Sequence, residues 1–124
     1  MAFNIDKNLL MKIRKGTTGE FIIEDLPEVF NSYTARLVIK KDESAKDYDA
    51  PVNKTVTISN GTIDFKLTTT DTDALSVDGG EDIGTYKWGI MIEDGTGELA
   101  INLIPAEFEE MPECIVFPEI AGGN

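Results

Sequence analysis

Histidine is absent from this sequence, and cysteine occurs once, at Cys114. The first absence removes the side chain that most often serves as general base near neutral pH and as metal ligand. Ser/His/Asp and Cys/His catalytic arrangements are thereby excluded. The second means that no intrachain disulfide can form. Ile115 and Val116 follow Cys114 directly, so it reads as a buried apolar thiol. No apolar run approaches the roughly 20 residues of a membrane span. The N-terminus lacks a basic region followed by a long apolar stretch, so no secretory signal is expected.

Positive charge is also scarce. Lys and Arg number 11 against 23 acidic residues, a formal net charge of −12. Duplex nucleic acid is held mainly by cations on its phosphates, and anionic membrane surfaces select for the same sign. Neither is an expected partner. The only local cation clusters, Lys12-Ile13-Arg14-Lys15 and Lys40-Lys41, read as strand edges or ends. Phosphate-binding glycine loops are missing: there is no Gly-x-x-x-x-Gly-Lys, and no Gly-x-Gly-x-x-Gly after a strand. Carboxylates are plentiful, but a glycosidase sets two of them across a sugar-sized cleft, which a sandwich this small usually lacks. The expectation is a protein without a cofactor and without enzymatic activity.

What is there is β-structure punctuated by turns. The 124 residues suit one domain. The expected organisation is an N-terminal arm over 1–8, a sandwich domain over 9–117 and a loose tail over 118–124. Leu10 to Lys15 and Glu20 to Glu24 read as strands that pair as a hairpin through Gly16-Thr17-Thr18-Gly19. Tyr33 to Lys40 alternates, with Tyr33, Ala35, Leu37 and Ile39 on one face. A polar loop follows from Lys41 to Lys54. Thr55 to Ser59 and Thr62 to Leu67 flank Asn60-Gly61, whose positive φ angles suit a two-residue hairpin turn. Thr70 with Asp73 predicts a capping box and one helical turn. Gly84 to Glu93 puts Tyr86, Trp88, Ile90 and Ile92 on one face. Glu98 to Ile104, Ala106 to Glu110 and Cys114 to Phe117 complete the set. The pattern predicts an all-β fold, an immunoglobulin-like antiparallel β-sandwich of about seven or eight strands with one short helical turn.

Candidate sites are few. Asp71, Asp73, Asp78, Glu81 and Asp82 gather hard oxygen ligands suited to calcium, without the spacing of an EF-hand loop. Solvated turn and cap residues are the simpler reading, so no metal is expected. The exposed loop residues Asp47, Tyr48 and Asp49 are the candidate binding surface, chosen for exposure. Trp88 lies in strict alternation with apolar residues and reads as core, which weakens a sugar-stacking role.

Val56-Thr57-Ile58-Ser59-Asn60-Gly61-Thr62-Ile63-Asp64-Phe65-Lys66-Leu67 is followed by Thr68-Thr69-Thr70-Asp71-Thr72-Asp73-Ala74-Leu75. Gly84-Thr85-Tyr86-Lys87-Trp88-Gly89-Ile90-Met91-Ile92-Glu93 comes next. This order resembles bacteriophage virion domains of the baseplate upper-protein N-terminal type. There a strand ends in a Leu-Thr-x-x-Asp-Thr-x-x-Leu-like turn, and a Gly-x-Tyr-x-Trp/Tyr-x-Ile strand follows. The resemblance implies an immunoglobulin-like structural module, a baseplate or fibre adaptor or a virion decoration protein. It would dock to other virion structural proteins as a homo-oligomer in a symmetric assembly. Its location would be the virion, after synthesis in the host bacterial cytoplasm. The alternative is a carbohydrate- or host-surface-binding β-sandwich module.

Overall fold

Inward-facing apolar residues on alternate positions fix two sheets that face each other across one core. A computed structural model of the chain describes residues 3–5, 10–42, 46, 50–75, 84–96, 100–104 and 110–117. The strands are β1 (Phe3–Ile5), β2 (Met11–Arg14), β3 (Gly19–Ile23), β4 (Thr34–Lys40), β5 (Val52–Thr57), β6 (Ile63–Leu67), β7 (Gly84–Glu93), β8 (Ala100–Ile104) and β9 (Glu113–Phe117). One short helix, α1 (Thr69–Asp73), lies between β6 and β7, and a 3-10 turn spans Glu28–Phe30. The larger sheet runs β1-β2-β9-β7-β4-β5, with β8 also paired to β7; β3 and β6 form the second sheet. The architecture is the expected all-β, immunoglobulin-like sandwich.

The core follows from the parity of each strand. Ala35, Leu37 and Ile39 of β4 are buried, as are Tyr86, Trp88, Ile90 and Ile92 of β7. Met11 and Ile13 of β2 and Cys114 and Val116 of β9 extend this layer. Ile63, Phe65 and Leu67 of β6 meet it from the smaller sheet. Trp88 is fully buried, and the ring of Phe21 on β3 meets it edge-on, 5.8 Å between centroids at 81°. Edge-to-face contact aligns the ring quadrupoles favourably.

β5 starts at Val52, inside the loop expected over Lys41 to Lys54, and the structure departs from the sequence reading in three further places. β2 and β3 do not form a hairpin. β2 lies parallel to β9, Met11 opposite Cys114, while β3 pairs with β6. The Lys15 N–H donates to the Phe117 carbonyl at 3.0 Å, so β2 keeps to β9 up to its end. Gly16, at φ 78°, then turns the chain toward the other sheet. Its N–H donates to the Thr72 hydroxyl, which in turn donates to the Thr17 carbonyl. Among the described residues the sandwich is therefore antiparallel except for this pair.

The second departure concerns Thr55 to Leu67. The turn forms as expected, with φ 53° at Asn60 and 71° at Gly61 and a two-way bond between Ser59 and Thr62. The strands do not pair beyond it: β5 joins β4 and β6 joins β3. Ile58 extends the first ladder, donating to the Tyr33 carbonyl and accepting from the Ser32 N–H. On the far side the Leu26 N–H donates to the Gly61 carbonyl. Each arm is thus claimed by a different neighbour, and the turn becomes a corner between sheets. The third departure is the capping box. It is Thr68 with Asp71, and Thr68 is the N-cap of α1, two residues before the expected Thr70.

The expected arm over 1–8 contributes β1, antiparallel to β2. The expected strand at Ala106 to Glu110, apart from Glu110, and the tail over 118–124 lie outside the described residues.

A Cβ on Gly61 would sit 2.9 Å from the Leu26 carbonyl oxygen, at a φ that side chains resist. Gly61→Ala is expected to cost about 1–3 kcal/mol. Trp88→Ala, which empties the centre of the core, is expected to cost about 3–5 kcal/mol. Urea unfolding followed by circular dichroism checks both; equal, negligible losses would refute the corner and the core as described.

Candidate functional site

The acidic cluster does not assemble into a ligand set among the described residues. Asp71 and Asp73 sit two positions apart on α1, a spacing that points side chains away from each other. One Asp71 carboxylate oxygen, Oδ2, already accepts from the Thr68 N–H at 2.8 Å, the Thr68 hydroxyl at 3.1 Å and the Lys54 ammonium at 2.7 Å. Burial works to raise the Asp71 pKa, but hydrogen bonds from Lys54 and Thr68 outweigh it and hold the group below the ordinary aspartate value. Asp73 is exposed, and its backbone carbonyl accepts from Lys15 Nζ at 3.0 Å. No group of three or more acidic, Cys or His side chains suited to a metal occurs among the described residues. Asp78, Glu81 and Asp82 lie outside them, as do Asp47, Tyr48 and Asp49.

Among the described residues, reactive groups are equally sparse. Burial pushes the Cys114 thiol up to about 12, so it stays protonated and inert at neutral pH. Tyr86 and Trp88 are core residues and offer no ring to a sugar. One open depression of about 550 Å³ is lined by Thr18, Gly19, Glu20, Lys66, Leu67 and Thr68. It is too open to exclude water from a reacting atom.

The outer face of the larger sheet is different. The parity that buries Ile13, Leu37 and Trp88 sends Lys12, Arg14, Arg36, Lys40 and Lys87 outward. Only Glu93 and Glu113 accompany them from the same strands. Four of the chain's 11 cations, Lys12, Arg14, Arg36 and Lys87, thus reach solvent on one face of a chain whose net charge is −12, while the outward Val38 and Lys40 are covered. Lys12 is exposed, Arg14, Arg36 and Lys87 are partly exposed, and Lys40 is buried.

Several contacts lock this face. Arg36 donates to Asn53 Oδ1 at 2.6 Å and pairs with Glu93 at 3.3 Å. Lys87 approaches Glu113 at 4.0 Å. The Arg14 guanidinium lies 5.4 Å over the Phe117 ring, a cation–π contact. Met91, Ile115 and Phe117 lie half-buried between the cations. Met91, Phe117, Arg14 and Arg36 are of the types enriched at protein-docking surfaces, whereas Lys12 and Lys87 are of a type depleted there.

The outer face of the smaller sheet has the opposite sign. Glu20 and Ile22 on β3 lie beside Lys66 and Asp64 on β6. Hydrogen bonding to Asp64, then its charge, raises the Glu20 pKa, which shows two carboxylates crowded together. Lys66 reaches each at 3.9 Å. Ile22 is half-exposed among them.

Sequence reasoning missed both faces because each is assembled from distant segments. The signal was present in the alternation: Lys12 and Arg14, Arg36 and Lys40, and Lys87 occupy the outward positions of their strands. No protein-family model, curated protein or solved structure matches the chain.

Asp71→Asn keeps the shape of the side chain and removes its charge. The folded-state pKa of Asp71 is lowered, so its contribution is present above the ordinary aspartate range and lost as pH falls through the folded value. The variant is expected to be about 1 kcal/mol less stable at pH 7. The deficit should shrink toward zero as urea titrations are repeated at progressively lower pH; a deficit unchanged in strong acid would contradict the pairing.

Proposed function

We propose that this chain is a non-catalytic docking module of a bacteriophage particle: a baseplate or fibre adaptor, or a decoration protein. It works by surface contact with other virion structural proteins, as one of several copies in a symmetric assembly. The observation that carries the docking role is the outer face of the larger sheet. Around Lys12, Arg14, Arg36 and Lys87 it gathers partly or fully exposed cations in an acidic chain and mixes them with half-buried apolar side chains. An enzyme instead converges polar groups on a concavity where a reacting atom can sit. The order of motifs from Val56 to Glu93, with its resemblance to baseplate domains, supports the virion as the setting.

Charge on such a face steers encounter and sets register, while the apolar centre supplies most of the contact energy. The partner surface is therefore expected to be acidic around an apolar centre. A domain that docks by a face needs that face rigid, and here it is part of a sheet whose other side is the core.

Mass spectrometry of purified phage particles from the source of this gene is expected to find the chain as a stoichiometric component. Its absence from particles would remove the virion setting. The double variant Lys12→Glu, Lys87→Glu is expected to fold normally and to lose about tenfold or more in affinity for particles lacking the wild-type chain. Unchanged affinity would remove the face from the docking role.

A further inference from the structure

The two outer faces of one sandwich carry opposite charge. The larger sheet shows Lys12, Arg14, Arg36 and Lys87 on one side of the domain. The smaller sheet shows Glu20 and Asp64 on the other, with Lys66 as the one cation beside them among the described residues. Glu24 is exposed and continues the outward phase of Glu20 and Ile22 one residue past β3. Asp25 and Glu28 are exposed along the same segment as it leaves the sheet.

We infer that copies of this domain stack head to tail, the basic outer face of the larger sheet seating on the acidic outer face of the smaller sheet of the next copy. This rests on the docking reading above: the basic face of the end copy seats on the particle, and that of every further copy seats on a second copy of the chain. Each copy carries both halves of the contact. Ile22, 49% exposed within the acidic face, supplies an apolar centre for Ile115 and Phe117 opposite. The adjacent Glu20 and Asp64 carboxylates, each met only at 3.9 Å by Lys66, offer an incoming cation two acceptors side by side.

The geometry decides the symmetry. The two faces lie on opposite sides of the sandwich, so the contact joins different patches and leaves one of each kind open at the ends. Such heterologous contacts close into rings or continue as stacks; they do not stop at a two-fold dimer. The net charge of −12 opposes association at long range. At physiological salt, screening confines that repulsion to about 8 Å, so the stack forms where copies are already concentrated.

Cross-linking between single added cysteines tests the arrangement. Thr85 is exposed on the basic face and Lys66 on the acidic face. The native Cys114 is buried and does not compete. Concentrated Thr85→Cys protein, Lys66→Cys protein and their equimolar mixture are treated with a short bis-maleimide. The mixture is expected to give about tenfold more covalent dimer than either variant alone, since the reactive groups meet at high effective concentration only across unlike faces. Adding Lys12→Glu and Lys87→Glu to the Thr85→Cys protein should abolish the excess. Equal dimer from Thr85→Cys alone, or no excess in the mixture, would overturn head-to-tail stacking. Wild-type protein that still binds particles while the mixture shows no excess would leave the docking role standing and remove only the stacking.

Discussion

The burial of Trp88 sets the terms for everything else. Its ring sits fully inside, edge-on to Phe21 of the facing sheet. That fixes which residues of β7 point inward. Antiparallel pairing carries the same parity to β4, with Ile39 opposite Trp88 and Leu37 opposite Ile90. It passes to β9 and, through β9, to β2. A slip of one residue would bring Lys87 inside and push the indole into water. The basic face is thus the other side of the same alternation that builds the core.

Polar ties at the margins keep the two sheets together and discourage other modes of association. Lys54 is on β5 at the edge of the larger sheet, yet it points inward. It donates to the Lys66 carbonyl and to Asp71, each at 2.7 Å. An inward lysine on an edge strand works against pairing with a foreign strand. Lys15 spans from the end of β2 to the carbonyls of Asp73, which ends α1, and Leu75 just beyond it, and Thr72 anchors the adjacent turn. With this edge guarded, contact through a face becomes the more favourable route.

How much of this was legible in the sequence follows from range. β4 and β7 could be read because each carries its own period-two pattern over seven and ten residues. The Asn60-Gly61 turn could be read because positive φ is a local demand. Strand partners could not, since Leu26 and Tyr33 decide where the arms of that turn go. The capping box was shifted by two residues because several threonines offered near-equivalent caps, and the choice fell to Lys54, which reaches Asp71. The basic face was invisible as a local cluster. It needs Lys12, Arg36 and Lys87 brought together by the β2-β9-β7-β4 order. Asp71, one of the candidate calcium residues, has its Oδ2 engaged by Lys54 and Thr68, a tie between distant segments that local sequence does not display.

The central claim is that the outer face of the larger sheet is the contact surface in the assembled form. Amine labelling of lysines, read by mass spectrometry in the free domain and in the particle, tests this directly. Lys12 and Lys87 should lose most of their reactivity on assembly. Labelling of both at the rate found in the free domain would contradict the account.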